Sequence, residues 1–151
     1  KDGFVIKPDL LKTYLLDYLF ENEWKYQCEQ KFGGKKPPYF GWRNWYQACE
    51  NDLALEIEKG RDLHWAIEKG FLQWVRYFCS EHPHILIQDL PLQYPILRQD
   101  SDMMKLLFSS GVVGQQYINQ HWSLLHYAVF TGSNDMVKLI LFPLQIELLP
   151  L

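Results

Sequence analysis

The sequence predicts an all-α protein in which short helices recur in tandem. Three observations carry that prediction. Apolar residues recur at helical spacing along the first 60 residues. One hexapeptide pattern then occurs three times: Trp74-Val75-Arg76-Tyr77-Phe78-Cys79, Met103-Met104-Lys105-Leu106-Leu107-Phe108 and Met136-Val137-Lys138-Leu139-Ile140-Leu141. Each copy has two apolar residues, one basic residue and three apolar residues. A leucine lies thirteen residues before each basic residue, at Leu63, Leu92 and Leu125.

The elements follow in order. Pro8-Asp9 reads as a helix start. Leu10, Leu11, Tyr14, Leu15, Tyr18 and Leu19 recur behind it, and the predicted helix runs on through Trp24 and Tyr26 towards Lys31. Gly33-Gly34 stops it. Residues 33–41 form an irregular loop, because two prolines remove donors and three glycines loosen the backbone. A second helix carries the stripe Trp42, Trp45, Tyr46, Cys49, Leu53 and Ile57, and Gly60 ends it. Residues 1–60 thus form one region of two helices. Residues 61–151 hold the copies, at about 61–83, 90–112 and 123–142. Pro150-Leu151 repeats the Pro91-Leu92 opening, so another copy is expected to start at 149–151.

The copies share more than the hexapeptide. Leu63-His64-Trp65-Ala66 and Leu125-His126-Tyr127-Ala128 match, and a glycine follows each alanine by four residues, at Gly70 and Gly132. The middle copy, Pro91-Leu92-Gln93-Tyr94-Pro95, keeps the proline and leucine but loses the histidine, alanine and glycine. This pattern resembles the ankyrin repeat, a unit of about 33 residues with a Thr-Pro-Leu-His-x-Ala signature. Leu92 to Leu125 spans 33 residues, whereas Leu63 to Leu92 spans 29, so the first hairpin is expected to be shortened around Pro83. Gly111-Val112 resembles the family's Gly-Ala ending, and Ile118-Asn119 its hairpin Val-Asn. The resemblance covers about residues 61–142. It implies an ankyrin-like stack of helix-turn-helix repeats, and residues 1–60 are expected to act as its N-terminal helical cap. Helices of about 8–10 residues do not persist alone in water, so neighbours must cover their apolar faces.

Composition narrows the function. Hydrophobic residues make up 48% and charged residues 22%, enough for a core and too few charges for a disordered chain. A net charge of −3, with scattered lysines and arginines, argues against a nucleic-acid binder. No apolar run reaches the roughly 18–20 residues of a membrane span, and Lys1-Asp2-Gly3 does not open a signal peptide. Three cysteines, Cys28, Cys49 and Cys79, give no disulfide framework and point to a reducing compartment, the cytoplasm. The missing initiator Met and the Leu148-Leu149-Pro150-Leu151 end are expected of a fragment of a larger protein.

Candidate chemistry is sparse. In the resembled family the signature histidine, here His64 and His126, serves the scaffold. Cys79, His82 and His84 have metal-like spacing but lack a fourth ligand, and His121 is distant in sequence. No local signature marks a cysteine nucleophile. Gly33-Gly34-Lys35-Lys36 fails the phosphate-loop spacing, and the carboxylates Glu21 and Glu23, or Glu56 and Glu58, point to different helix faces. No catalytic residue, metal or cofactor is expected.

The expected function is protein–protein interaction. The resemblance implies a concave face lined by each repeat's first helix. The two residues before the glycine position point outwards there: Glu68 and Lys69, Leu97 and Arg98, Phe130 and Thr131. The position after the histidine holds Trp65, Tyr94 and Tyr127, an aromatic in every copy, and Trp122 falls near a hairpin tip. These ten residues are the predicted partner-binding set. Apolar Leu97 and Phe130 at nominally exposed positions are its sharpest members. An alternative makes the chain a non-catalytic or substrate-positioning fragment of a larger enzyme or secreted bacterial effector, working in host cytosol in the latter case, with the catalytic part outside the chain. A third reading makes the aromatic helices 9–59 a self-association surface.

Overall fold

Residues 7–83, 89–110 and 121–148 are described in a computed structural model of the chain. They form α1 (Pro8–Leu19), α2 (Glu21–Lys31), α3 (Trp42–Glu58), α4 (Asp62–Lys69), α5 (Leu72–Glu81), α6 (Gln93–Leu97), α7 (Ser101–Ser110), α8 (His121–Thr131) and α9 (Asn134–Leu148). Among the described residues there is no strand, and the fold is all-α. The three hexapeptides lie in α5, α7 and α9. Gly111, Val112, Ile118, Asn119, His84 and the repeat opening expected at 149–151 lie outside the described residues.

Two layers of helices stack side by side. One layer runs α3, α4, α6, α8, and the other α2, α5, α7, α9. Within each repeat the chain lays down the first-layer helix and then its partner. The N-terminal pair reverses that order: α2 lies against α5 and is followed by α3 against α4. The turn at Lys59–Arg61 therefore joins two helices of the same layer. It closes through the Gly60 left-handed conformation, φ 69°, with the Arg61 N–H donating to Glu56 O at 2.8 Å.

Each of the three repeats turns the same way. Gly70, Gln99 and Gly132 have φ of 81°, 57° and 72°, and their N–H groups donate to Ile67, Ile96 and Val129 carbonyls. The middle copy thus keeps the left-handed turn without the glycine, at a residue type that rarely adopts it. Pro95 sits in the first turn of α6, where its missing N–H has no helical acceptor to lose. Asp100 Oδ1 accepts the Met103 N–H and Ser133 Oγ the Met136 N–H, capping α7 and α9.

The continuous helix expected from Pro8 to Lys31 is corrected. Phe20, at φ −105° and ψ 14°, splits it into α1 and α2. The break lets α2 pack on α3 and α5 while α1 contacts α2. The cap is fastened to the first repeat by an aromatic cluster. Phe32 is buried, with ring centroids 5.3 Å from Phe71, 5.9 Å from Tyr46 and 6.1 Å from Trp65. The Gln73 N–H donates to Phe32 O at 3.0 Å, and Gly34 lies against the Phe71 ring. The core continues through Ile67, Val75, Leu92, Ile96, Met103, Met104, Leu107, Met136 and Ile140.

Candidate binding surface

The shared turn places Glu68 and Lys69, Leu97 and Arg98, and Phe130 and Thr131 at equivalent points of the stack, yet their environments differ. Glu68 and Lys69 are exposed at the end of α4. Leu97, Tyr127 and Phe130 are 43%, 41% and 85% exposed and line one apolar groove of about 370 Å³ together with His126. Helical geometry explains the grouping: Tyr127 and Phe130 are i,i+3 neighbours on α8, and His126 precedes Phe130 by four. Tyr94 is exposed one turn before Leu97 on α6.

Trp65 is set apart from the two tyrosines. It is only 7% exposed, with ring centroids 4.9 Å from Phe71 and 6.1 Å from Phe32. The cap covers this register position in the first repeat, so the expected three-aromatic exposed stripe reduces to Tyr94 and Tyr127. Trp122 lies in α8, and its side chain lies outside the described residues. Thr131 is half-buried; its hydroxyl donates to Ala128 O at 2.7 Å and accepts from the Ser133 N–H at 3.4 Å.

Arg98 is exposed yet pinned to the end of α4. Its Nη1 donates to Glu68 O at 2.7 Å and its Nη2 to Ile67 O at 2.9 Å, with Asp100 Oδ2 at 3.5 Å from Nη2. These carbonyls end α4, where backbone acceptors lack helical partners and a cation is favoured. Arg98 therefore clamps the second repeat onto the first. An Arg98→Ala variant is expected to lose about 2 kcal/mol of stability, allowing for its partial exposure. Urea unfolding checks this, and Arg98→Lys should recover little, because one ammonium cannot reproduce the planar fork.

The family resemblance makes His126 a scaffold residue, whereas the structure exposes it at the groove. Its i+4 spacing to Phe130 was the available signal.

Reactive chemistry finds little support. All three cysteines are buried and free. Burial, helped by the nearby Glu29 charge, pushes the Cys28 thiol up to about 11. Burial also pushes Cys49 up to about 12, and Cys79 is raised by the same cause. A protonated thiol is a poor nucleophile. The raised Cys28 and Cys49 values make their stability contribution complete below about pH 9 and lost as pH rises towards 11–12. Denaturant midpoints should thus fall above pH 9, and native alkylation at neutral pH should be slow until urea exposes the thiols.

Among the described residues no group of three His, Cys, Asp or Glu is placed to hold a metal ion. A more polar cleft of about 510 Å³ runs past Gly34, Lys35, Lys69, Gly70 and Asp102. Arg98 and Asp100, which also line it, are engaged in the clamp and the α7 cap.

Two layers of short helices, one turn repeated in register and an apolar groove across successive first-layer helices define a helical repeat protein. A family model of ankyrin repeats, in 3 copies, matches residues 63–148, and the chain belongs to the ankyrin-repeat family. Ankyrin repeats mediate protein–protein interaction. Comparison with curated proteins and with solved structures gave no match.

Proposed function

We propose that the chain binds a protein or peptide partner through the concave face of its stack, centred on the groove between α6 and α8. The observation that carries this reading is Phe130, 85% exposed beside Leu97 and Tyr127 with no role in the core. A large apolar side chain held in water costs free energy that a partner's apolar anchor recovers. Tyr94, Glu68 and Lys69 extend the surface and supply polar edges. Aromatic anchors within a polar rim are the arrangement that concentrates binding energy. The partner is a polypeptide rather than nucleic acid, supported by the net charge of −3. Among the described residues no helix is long and apolar enough to cross a membrane. Three free, buried thiols support work in a reducing compartment.

The test compares the native chain with a Leu97→Glu/Phe130→Glu double variant as baits in cell extract, read by mass spectrometry. Both side chains are exposed, so helical circular dichroism should be unchanged. Proteins retained by the native chain should be lost from the variant. Equal retention by both would place binding elsewhere.

A further inference from the structure

A cationic cleft adjoins the apolar groove. Leu97 lines the groove, and the next residue, Arg98, lines the polar cleft of about 510 Å³. The cleft forms where the cap loop meets the turn between α4 and α5. The Gln73 N–H fastens that loop through Phe32 O, and Gly34 lies against Phe71. This sets the following residue, Lys35, on the same cleft as Lys69. Arg98 and Asp100, which also line it, are engaged with the α4 carbonyls, the α7 cap and each other. Asp102 sits in the first turn of α7, where the helix dipole complements its charge. Lys35 and Lys69 are exposed and, among the described residues, form no ion pair. Lys31 and Lys36, by contrast, are held by Glu50 and by the Pro37 carbonyl. Three cations against two carboxylates leave the cleft a formal +1, in a chain whose net charge is −3.

Resting on the groove reading above, we propose that the partner is an acidic peptide segment whose carboxylate sits in this cleft with Lys35 and Lys69, a few residues from the apolar anchor that fills the groove. Gly33, Gly34 and Gly70 bring no side chains to the cleft, which leaves room for a carboxylate near the two ammonium groups. Cations without a partner of their own steer an anionic segment towards them and fix its register once it is bound. Two lysines are too short a basic track for a nucleic-acid backbone, so a peptide carboxylate is the fitting anion. Neighbouring helices of one layer stand about 8–10 Å apart, which places the cleft at the α4 turn about 10–20 Å from the groove between α6 and α8. An extended chain covers about 3.3 Å per residue, so the acidic residue falls about three to six positions from the apolar anchor.

A random peptide display library selected on the native chain tests this. The selected peptides should pair an Asp or Glu with a leucine or aromatic residue about three to six positions away. A synthetic copy of one such peptide, followed by fluorescence anisotropy, should bind Lys35→Glu/Lys69→Glu about tenfold more weakly than the native chain. Its affinity should also fall as salt is raised. Lys35→Arg/Lys69→Arg should keep binding, because charge is what these positions supply. Both lysines are exposed, so helical circular dichroism should stay unchanged in each variant. Peptides that are lost from Leu97→Glu/Phe130→Glu but show no enriched acidic residue overturn the acidic partner and leave the groove standing. So do peptides that bind Lys35→Glu/Lys69→Glu as tightly as the native chain. Peptides that survive Leu97→Glu/Phe130→Glu, or a library that yields no binder, overturn the groove and the acidic partner together.

Discussion

A Phe32→Ala variant is expected to lose about 3–5 kcal/mol of folding stability, the largest effect of any single truncation in the cap. Phe32 is fully enclosed and meets Tyr46 of α3, Trp65 of α4 and Phe71 ahead of α5. Its removal leaves a void among side chains from three segments that cannot all move inwards together. The ring also holds the end of α2 where the Phe32 carbonyl accepts from Gln73. A domain is stable by only about 5–15 kcal/mol in total, so the loss is large enough to undock the cap. Urea unfolding followed by tryptophan fluorescence reads this, since Trp45 and Trp65 sit in the same cluster. A drop in midpoint comparable to that of an exposed substitution would show that the cap is not fastened here.

The second large effect is expected at Gly34. A Cβ there would stand 2.3 Å from Phe71 Cδ1 and 2.6 Å from Cε1. Phe71 is itself buried, with Phe32, Trp45 and Trp65 around it, and has no space to swing away. Gly34→Ala should therefore cost about 2–3 kcal/mol through overpacking. Gly41→Ser is the control. A Cβ at Gly41 meets nothing within 4 Å, and Gly41 caps α3, where serine is favoured. The control should be neutral or slightly stabilising by thermal unfolding. Equal effects at the two glycines would contradict the close packing of the loop on Phe71.

Local pattern made the repeats legible. The hexapeptides and their upstream leucines mark core positions of short helices, and such positions are fixed by spacing alone. The Gly60, Gly70 and Gly132 turns were readable because φ is positive at each. What escaped the sequence depended on contacts between segments. Phe20 breaks the first helix with no glycine or proline to mark it, because the bend serves packing of α2 on α3 and α5. Gln99 takes the left-handed turn of the middle repeat although its residue type gives no such signal. The burial of Trp65 follows from a cap whose reversed pairing brings Phe32 against it, beside Phe71 of its own repeat. Arg98 sits at an outward register position, and only the neighbouring α4 carbonyls turn it into a clamp. Leu97 and Phe130 were readable because apolar residues stood where the repeat pattern puts solvent. The exposure of Val129 was not legible, since its register matches the buried Ile67 and Ile96 of the other two copies.

The cap bears on binding as well as on stability. It covers the first-layer register at Trp65 and leaves it open at Tyr94 and Tyr127, so the apolar groove lies towards the α8 end of the stack. Tyr127 and Phe130 line that groove from α8.

The proposed partner is a polypeptide seated on the α6–α8 groove. The most direct measurement selects peptides on the native chain from a random display library, then maps the bound peptide by amide chemical-shift changes. The shifts are expected to concentrate at Leu97, His126, Tyr127 and Phe130. Shifts concentrated on α1, around Leu15 and Tyr18, or on the outer helices α5 and α7, would contradict it.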